Sequence, residues 1–479
     1  MLQNFYENIY RTLNQQPEQV YIRWPKEAEE DVLTDSFTGR DILDSVATYQ
    51  QLLKEQKIAV GQKVLLALPV GIKLICGILA VMAAGAVPVL PPAGAVPSQL
   101  LSLLKRHHIK EVLLQKPLPL GPRLLLKVLG VRQLLLKEPV IGDMSVLQPV
   151  KVNGSQAALI SHSSGSTGQA KAIYRSHQVL QAQHEVLKNQ FPPRLRQRDF
   201  PLFPNILLHN LSIGVLSILP ALPGFDIRRM DPARLVQQLL QEKVQTLTGN
   251  VYYFRTLVNY LEEQSLTLPA VLALGIGGSP VPDHLLQRLH KAFPEADLYV
   301  IYGSSEAEPI AVRKYNAVVM YPPQLGYAVG PFCRDIEGCL LPIGKIAEQG
   351  YTVGEVLVRG PHVVPADANG WLQTGDYGYV DEHGILFLTG RKGNEKLHGG
   401  VQHYQIEHLL LHQEGVENAA ARSLAEGFEI FVLGNAEREK LLKVLNGHFP
   451  KGIILALHFR NHFPMDGRHH SKILYSDLS

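Results

Sequence analysis

Residues 157–171 read AALISHSSGSTGQAK, a short apolar run followed by a small, polar segment that glycines interrupt. From about Arg175 onward the apolar residues take helical spacing. A buried strand, a loop and a helix in succession form the unit from which alternating α/β folds are built. The stretch therefore predicts an α/β fold, and it makes the loop at 162–171 a candidate anion site.

The same alternation recurs over most of the chain. Short apolar runs rich in β-branched residues predict strands at 63–68, 86–90, 111–114, 157–160, 272–275 and 298–302. Apolar residues at helical spacing predict helices between them, as at 179–187 and 233–242. We therefore expect an α/β architecture in which large, mostly parallel sheets are covered by helices.

The sequence changes character twice towards its carboxyl end. After about Pro322, glycine-containing strand pairs predict a β-rich subdomain with a hairpin turn at 381–384. The segment GRKG at 390–393 is followed by predicted helices at 404–411 and 437–445 around a strand at 429–433. We predict an N-terminal domain over 1–389, a hinge at 390–393 and a small, mobile α+β domain over 394–479.

Composition restricts the classes of function. The 479 residues include 46 basic and 43 acidic side chains, and a formal charge of +3 gives no whole-molecule field that favours nucleic acid or an anionic membrane. Three cysteines form neither a disulfide framework nor a paired metal site, and the N-terminus lacks the pattern of a signal peptide. We expect a cytoplasmic protein.

One apolar stretch, at 74–90, is almost long enough to cross a membrane. Pro69 and Gly71 precede it, and Pro88 interrupts its end. Continuous apolar runs are normal where a parallel sheet is covered on both faces. We therefore expect buried strand and helix here and no transmembrane segment.

The loop at 162–171 can be a flexible linker or an anion cradle. Backbone N–H groups of a glycine-rich loop can converge on phosphate oxygens, and hydroxyl groups and a lysine add donors. The P-loop of nucleotide hydrolases has lysine directly after its last glycine, whereas Gln169 follows Gly168 here. Composition alone leaves linker and phosphate loop open. The candidate phosphate ligands are Ser163, Ser164, Gly165, Ser166, Thr167, Gly168 and Lys171.

Several motifs in one order carry a family resemblance. The loop HSSGSTGQAK resembles the [ST]SG[ST]TGxPK loop of the adenylate-forming enzymes, which include acyl-CoA synthetases, amino-acid adenylation domains and luciferase-like ligases. The similar motifs that follow are GIGGSP at 275–280, IYGSSE at 301–306, GEVLVRG at 354–360, WLQTGD at 371–376 and GR at 390–391. The resemblance implies ATP-dependent activation of a small-molecule carboxylic acid to an acyl-AMP, with release of pyrophosphate.

The resemblance also implies roles for individual residues in binding ATP and Mg²⁺. The glycine-rich loop would hold the β and γ phosphates, and Glu306 would bind Mg²⁺ with Ser305 beside it. Asp376 would accept hydrogen bonds from the ribose hydroxyls, and Arg391 would contact ribose or phosphate. Tyr302 would stack on adenine. Further nucleotide or substrate contacts are expected at Gly277, Gly278, Gly303 and Ser304.

The carboxyl end resembles the family but departs from it in detail. Lys472 in PMDGRHHSK occupies the place of the catalytic lysine, which would stabilise charge on the carboxylate and α-phosphate. This ending resembles that of the olefin β-lactone synthetases, although the chain is shorter than those enzymes. Gly393 replaces the usual Asp or Lys of the hinge and can supply the backbone change of a rotating domain. The segment 396–407 resembles a shortened pantetheine-tunnel segment, which weakens the case for CoA as acceptor.

The acyl pocket is assigned to PLFPNILLHN at 201–210 and to the apolar segment after it, which suits a hydrophobic acid. His209 either faces this substrate or is a hydrogen-bonded core residue. Three functions stay open. The acyl group passes to a thiol of CoA or of a phosphopantetheine carrier protein, or a 3-hydroxyacyl adenylate closes to a β-lactone, or the chain binds nucleotide without turnover.

Overall fold

The computed structural model describes residues 2–26, 33–92, 94–139, 148–163, 171–202, 204–346, 350–466 and 470–478. The chain divides into two compact units, Met1–Val244 and Gln245–Ser479, which we describe separately. The expected hinge at 390–393 lies inside the second unit, and the domain boundaries placed there stay predictions.

The first unit alternates strands and helices along most of its length. Its elements are β1 (Leu2–Gln3), α1 (Tyr6–Gln15), β2 (Val20–Pro25), β3 (Thr34–Thr38), α2 (Gly39–Glu55), β4 (Lys63–Ala67), α3 (Ile72–Ala83), β5 (Val87–Val89), α4 (Pro97–Arg106), β6 (Glu111–Leu114), α5 (Leu120–Val128), β7 (Arg132–Leu135), β8 (Val152–Asn153), β9 (Ala157–Ser163), β10 (Lys171–Ser176), α6 (His177–Gln190), β11 (Arg198–Pro201), α7 (Pro204–Ile213), β12 (Leu216–Ile218) and α8 (Pro232–Gln241). Short 3₁₀ helices lie at Pro223–Phe225 and Ile227–Arg229.

A six-stranded sheet organises the first unit, in the order β10-β9-β5-β4-β6-β7. Neighbouring strands in this sheet run parallel, except that β10 at the edge is antiparallel to β9. Strands β11, β12 and β2 form a second parallel set, with β3 antiparallel at its edge. The apolar stretch at 74–90 forms most of α3 and all of β5, and α3 is buried from Ile75 to Ala83. The expectation of a buried helix and strand at this position is confirmed.

One strand was not predicted, although the helix expected from about Arg175 is present. Strand β10 (Lys171–Ser176), rather than a helix, follows the glycine-rich loop, and α6 begins only at His177. The run KAIYRS contains β-branched and aromatic residues that suit a strand, and it pairs with β9. The side chain of Ser176 then caps α6 by accepting from the Val179 N–H over 3.1 Å.

The second unit begins with alternating elements and then becomes richer in β-structure. Its elements are β13 (Thr246–Asn250), α9 (Val251–Glu263), β14 (Ala273–Gly277), α10 (Asp283–Ala292), β15 (Asp297–Ser304), β16 (Ala307–Lys314), β17 (Tyr327–Gly330), β18 (Glu337–Lys345), β19 (Thr352–Arg359), β20 (Leu372–Val380), β21 (Leu386–Arg391), α11 (His403–Leu411), β22 (Val416–Ser423), β23 (Phe428–Gly434), α12 (Arg438–His448) and β24 (Ile454–Arg460). Short 3₁₀ helices lie at Pro323–Leu325 and Tyr475–Asp477.

Three sets of strands make up the second unit. Strands β13, β14 and β15 are parallel neighbours, and β16 returns antiparallel to β15. Strands β17 to β21 form an antiparallel sheet in the order β17-β21-β20-β19-β18, and β22, β23 and β24 form a small sheet. Helices α11 and α12 share a buried apolar core with this small sheet. The expected α/β fold, with parallel sheets and a β-rich part, is confirmed.

Within the described ranges, no helix is both long enough and apolar enough to span a bilayer.

Candidate active site

The turn between β15 and β16, at the carboxyl end of a parallel strand, carries the predicted magnesium ligand and several of the predicted nucleotide contacts. Ligands bind at this end of the strands in open α/β sheets. A Cβ at Gly303 would stand 2.8 Å from Ala307 O, so glycine is required for the close approach. The Glu306 N–H donates to Ser304 Oγ over 3.3 Å, and Glu306 O accepts from the Val364 N–H over 2.7 Å. These bonds fix the backbone of the turn.

The side chains of this turn differ in exposure. Ser304 is exposed, whereas Ser305 and Glu306 are half-buried. The Glu306 carboxylate is therefore carried by a residue whose N–H and C=O groups are both hydrogen-bonded.

A second turn lies at the end of the neighbouring strand β14. Gly277 is the register partner of Ile301 on β15, and a Cβ on Gly277 would stand 2.6 Å from Ile301 O. Gly278 is exposed and has a φ of +79°, in the left-handed region that favours glycine. The predicted glycine turn thus brings bare backbone to the same edge of the sheet as the Glu306 turn.

Tyr302, Asp376 and Arg391 form a hydrogen-bonded cluster. Tyr302 Oη donates to Asp376 Oδ2 over 2.9 Å, and Arg391 Nη1 donates to Asp376 Oδ1 over 2.5 Å. Asp376 is 8% exposed and is the register partner of Arg391 across β20 and β21. The Asp376 N–H also donates to Thr374 Oγ1 over 3.1 Å. Tyr302 and Arg391, from two other motifs, therefore both donate to the carboxylate of Asp376.

Charge and burial set the protonation states in this cluster. Burial, followed by the negative charge of Asp376, raises the pKa of Tyr302 well above its ordinary value. The charge of Asp376 also raises the pKa of the Arg391 guanidinium. Near neutral pH Tyr302 is therefore a neutral donor and Arg391 a cation. Each carboxylate oxygen has two acceptor sites, so these bonds leave capacity for a ligand hydroxyl.

The described residues around Lys472, 465–466 and 470–473, are joined by a β-bridge between Met465 and Ile473. The Asp466 N–H donates to Lys472 O over 2.8 Å. Asp466 Oδ1 in turn accepts from the Ser471 N–H over 3.0 Å and from the Lys472 N–H over 2.8 Å. We call this segment the lysine hairpin. Its backbone bonds converge on the carboxylate of Asp466, which is 6% exposed, and residues 467–469 lie outside the described ranges.

The lysine hairpin packs on the first turn of α9. The rings of His470 and Tyr252 meet edge-on, with centroids 4.8 Å apart and an interplanar angle of 88°. Helix α9 starts directly after β13, where Asn250 Oδ1 accepts from the Tyr253 N–H over 2.9 Å. Since β13, β14 and β15 are parallel neighbours, this contact brings the hairpin to the sheet edge that carries both turns.

Helix α11 holds both the end of β21 and the segment after the lysine hairpin. The Arg391 N–H donates to His403 Nε2 over 3.0 Å, so the proton of the neutral imidazole is on Nδ1, which donates to Glu407 Oε1 over 3.1 Å. Tyr475 Oη lies 2.8 and 3.0 Å from the two oxygens of that carboxylate. The Ala421 N–H donates to Glu407 Oε1 over 2.9 Å. Glu407 is 4% exposed, so one buried carboxylate fastens both segments.

The backbone conformation at position 393, in the predicted hinge, explains why glycine stands there. Gly393 has a φ of +93°, and no described atom lies within 4 Å of the position that a Cβ would take. Backbone conformation, rather than lack of space, therefore favours glycine. Beyond it, Gly399 and Gly400 have φ of +55° and +79° in a turn closed by a bridge between His398 and Val401. The shortened segment that precedes α11 is this tight turn.

The glycine-rich loop belongs to the first unit. Ser163 and Lys171 are antiparallel register partners, so the two described ends of the loop stand side by side. Lys171 is exposed. The predicted phosphate ligands between these ends lie outside the described residues, as does the side chain of Ser163; they are Ser164, Gly165, Ser166, Thr167 and Gly168.

Two histidines anchor the strand that enters the loop. His162 Nδ1 lies 2.7 Å from Leu90 O, and its Nε2 lies 3.3 Å from His107 Nε2. His107 Nδ1 lies 2.7 Å from Tyr174 Oη. Burial lowers the pKa of both imidazoles, that of His107 to about 4. Two neutral rings can each donate one proton along this chain, so the loop entrance is tied down by groups that the motif did not predict.

His209 is buried on α7. Its Nδ1 lies 3.0 Å from His184 Nδ1, and burial lowers the pKa of His209 to about 3. The ring is thus a neutral, hydrogen-bonded histidine at 9% exposure. Its contact with a substrate stays a prediction.

A family model described as AMP-binding enzyme matches residues 9–366, well over half of the chain. The chain belongs to this family. The resemblance that the motifs indicated is thereby confirmed.

Two curated AMP-binding relatives illustrate the range of the family. The chain is 26% identical over 368 residues to the olefin beta-lactone synthetase of Stenotrophomonas maltophilia (strain K279a), which covers 67% of this chain and 66% of the relative. It is 28% identical over 301 residues to the 2-succinylbenzoate–CoA ligase of Bacillus cereus (strain ZK / E33L), which covers 57% and 58%. The matched segments thus span 66% and 58% of the length of these two relatives.

Solved structures share the fold. The O-succinylbenzoate coenzyme A synthetase (MenE) from Bacillus subtilis, in complex with ATP and magnesium ion, has a TM-score of 0.78 at 16% identity and is covered in full, as is this chain. ATP-bound MatB from Rhodopseudomonas palustris has a TM-score of 0.78 at 17% identity, with 100% of this chain and 98% of MatB covered. At such identities the likeness concerns the fold alone.

The motifs predicted candidate site residues but did not predict the groups that hold them in the structure. Thr374 lies inside the WLQTGD motif, and Asp466 stands six residues before Lys472 in PMDGRHHSK. Nothing in the sequence pairs Tyr252 with His470 or Glu407 with Tyr475, because these contacts join segments far apart in the chain.

Proposed function

We propose that this AMP-binding enzyme activates a carboxylic acid with ATP. An oxygen of the acid attacks the α-phosphorus of ATP, the bond from that phosphorus to the bridging oxygen breaks, and the products are an acyl-AMP and pyrophosphate. The observation that supports this most strongly is the cluster of Tyr302, Asp376 and Arg391. It combines a carboxylate with spare acceptor sites and a fixed cation at the edge where ligands bind.

The cluster suits a nucleotide because both of its charges are held in place. Asp376 would accept the two ribose hydroxyls, one at each oxygen, while Tyr302 and Arg391 keep the carboxylate from turning. The Arg391 side chain is 45% exposed and retains donors for ribose or phosphate. We assign the Tyr302 hydroxyl to positioning Asp376, and adenine stacking on its ring, which is 8% exposed, stays a proposal from the motif.

Glu306 is the proposed protein ligand of Mg²⁺. This ion commonly takes one or two carboxylates and completes its shell with phosphate oxygens and water, so a single carboxylate at the turn fits it. When bound, Mg²⁺ neutralises phosphate charge and so allows an anionic acid to approach. The glycine-rich loop from Ser163 to Lys171 is proposed to hold the β and γ phosphates.

Lys472 is the proposed catalytic cation. The lysine hairpin fixes its backbone through Asp466 on one side and through the bridge to Met465 on the other. Lys472 is an exposed residue. A cation at this position would balance the charge that gathers on the α-phosphate during attack.

We propose a thiol as the acceptor of the acyl group, either on CoA or on the phosphopantetheine of an acyl carrier protein. The thiolate would attack the acyl carbonyl and expel AMP. The second candidate is closure of a 3-hydroxyacyl adenylate, in which the hydroxyl oxygen attacks the same carbonyl, AMP leaves and a β-lactone forms. The sequence PMDGRHHSK at 464–472 and the similarity to an olefin beta-lactone synthetase favour β-lactone formation.

Pyrophosphate exchange into ATP tests the first step with a panel of acids that includes long-chain and 3-hydroxy acids. We expect at least one hydrophobic acid to support exchange far above a Lys472→Ala control. Absence of exchange with every acid would leave a nucleotide-binding protein without turnover. Product analysis of 3-hydroxy acids with and without CoA then separates the alternatives, because a lactone forms without any thiol and a thioester does not.

A further inference from the structure

Helix α5 exposes an unusual amount of apolar surface. Leu120, Leu124 and Val128 are 76%, 58% and 84% exposed, and their spacing of four residues places them along one face. We call these three residues the α5 stripe. Leu126 is the only buried residue of the helix, and it packs in the core beneath the six-stranded sheet. The stripe therefore faces away from that core, and hiding it from water would lower its free energy.

Basic side chains surround the α5 stripe. Arg123 and Lys127 lie beside it on the helix and are exposed. The Lys110 ammonium reaches the far end of the helix, 4.0 Å from the Cβ position of Gly130. Residues 112–137 contain five basic residues and no acidic residue. Two of these five, Arg132 and Lys137, form ion pairs with Glu111 and Glu55, so the positive charge beside the stripe comes from Arg123, Lys127 and Lys110.

The backbone that leads into α5 is also suited to a weakly hydrated environment. Pro117, Pro119 and Pro122 carry no N–H group, so they leave no donor to be stripped of water. The Arg123 N–H is satisfied by Pro119 O over 3.0 Å. Unsatisfied backbone donors oppose transfer out of water, and this segment has few of them.

We propose that α5 docks the protein on an anionic lipid bilayer. The α5 stripe would enter the boundary between headgroups and acyl chains, while Arg123, Lys127 and Lys110 meet lipid phosphates. This arrangement, with aliphatic residues on one face and Lys or Arg beside them, is that of helices which lie in the membrane surface. The proposal goes beyond the catalytic function and does not depend on it.

A bilayer fits the α5 stripe better than a protein partner does. Protein interfaces cover roughly 800 Å² on each partner and are enriched in aromatic residues and methionine. The stripe presents three aliphatic side chains on a convex helix, with neither of those residue types among them. A bilayer requires no complementary shape, and the aliphatic stems of Arg and Lys can lie along it while their charges stay in the headgroup layer.

The test is co-sedimentation of the full chain with vesicles of phosphatidylcholine, with and without phosphatidylglycerol, at low and high salt. We expect binding to the anionic vesicles that high salt weakens. The stripe variant Leu120→Ser/Leu124→Ser/Val128→Ser should reduce partitioning at least tenfold. Arg123→Gln/Lys127→Gln should reduce it by roughly fivefold for each charge removed.

Matched controls remove equal numbers of similar side chains elsewhere. Val60→Ser/Leu195→Ser/Leu240→Ser changes three aliphatic residues that are 54%, 90% and 57% exposed, and it should bind as wild type does. Lys188→Gln/Lys291→Gln is the control for charge, since both lysines are exposed.

Three results would overturn the proposal. Wild-type protein would fail to bind anionic vesicles, or the stripe variant would bind as well as its control. In the third, light scattering would find concentration-dependent dimers that the stripe variant abolishes, without vesicle binding, and the stripe would then be an interface between copies of the chain.

Discussion

The lysine hairpin allows a direct test of positioning, because the Asp466 carboxylate holds the backbone of Lys472, the proposed catalytic residue. Asp466 Oδ1 accepts from the Ser471 and Lys472 N–H groups over 3.0 and 2.8 Å. Asp466→Ala removes both bonds. Asp466→Asn keeps a side-chain oxygen of the same size at the same place, so it is the matched control.

The expected size of the effect follows from these two bonds. A hydrogen bond to a charged group contributes about 1.5–3 kcal/mol, and water can replace part of it at a hairpin near the surface. A net loss of about 2.7 kcal/mol for the pair corresponds to a roughly hundredfold fall in rate if it appears in the transition state. We expect Asp466→Ala to lower kcat for adenylation by this order, with little change in the KM for ATP.

The assay is pyrophosphate exchange at saturating ATP and acid, with a thermal melt to show that the fold is intact. Asp466→Asn should retain most of the wild-type rate. An Asp466→Ala rate within threefold of wild type would show that Lys472 does not depend on the hydrogen bonds to Asp466. A loss of rate accompanied by global unfolding would be visible in the melt.

Three further predictions each rest on one local feature of the structure. Tyr302→Phe keeps the ring but removes the donor to Asp376, so the KM for ATP should rise roughly tenfold in steady-state kinetics while kcat changes little; an unchanged KM would contradict this. Gly393→Ala should lower the free energy of unfolding by about 1–2 kcal/mol in urea titration, because φ is +93° there, and a stabilised variant would contradict it. Burial lowers the pKa of His184 and of His209, the latter from 6.5 to about 3, so the unfolded chain binds more protons below about pH 6.5. Stability should therefore fall as the pH drops from about 7 towards 5, and His209→Asn should make the urea midpoint less dependent on pH.

Periodicity predicted much of the fold because each signal it uses is local. The apolar stretch at 74–90 has proline and glycine at its flanks, and it forms α3 and β5 as expected. Strand β10 was missed because KAIYRS is short and its assignment depends on pairing with β9. A local pattern of six residues does not contain that partner.

The candidate site shows the same division. Glu306, Asp376 and Arg391 were found through motifs, whose spacing is visible in the sequence. The bond from Tyr302 to Asp376 joins residues 74 positions apart, and it exists only because β15 and β20 are brought together by the fold. The role of Asp466 had a visible signal, an acidic residue that precedes a glycine in the segment before Lys472.

The support beneath the site was not predictable from pattern. His403 and Glu407 share a face of α11 at a spacing of four residues, which also suits an ordinary core helix. Only the structure shows that their partners are the Arg391 backbone and the Tyr475 hydroxyl. A buried carboxylate that receives several donors needs all of them placed by separate segments, and no short window of sequence contains them.

In the proposed reaction the carboxylate of the acid attacks the α-phosphorus of ATP. The most direct measurement uses a hydrophobic acid labelled with ¹⁸O in both carboxylate oxygens, followed by mass spectrometry of the nucleotide and phosphate products after turnover. We expect one ¹⁸O atom in AMP, because the labelled oxygen bonded to phosphorus stays there when the acyl group is transferred, and none in pyrophosphate. Appearance of ADP together with ¹⁸O in inorganic phosphate would contradict it, because the acid would then attack the γ-phosphorus instead.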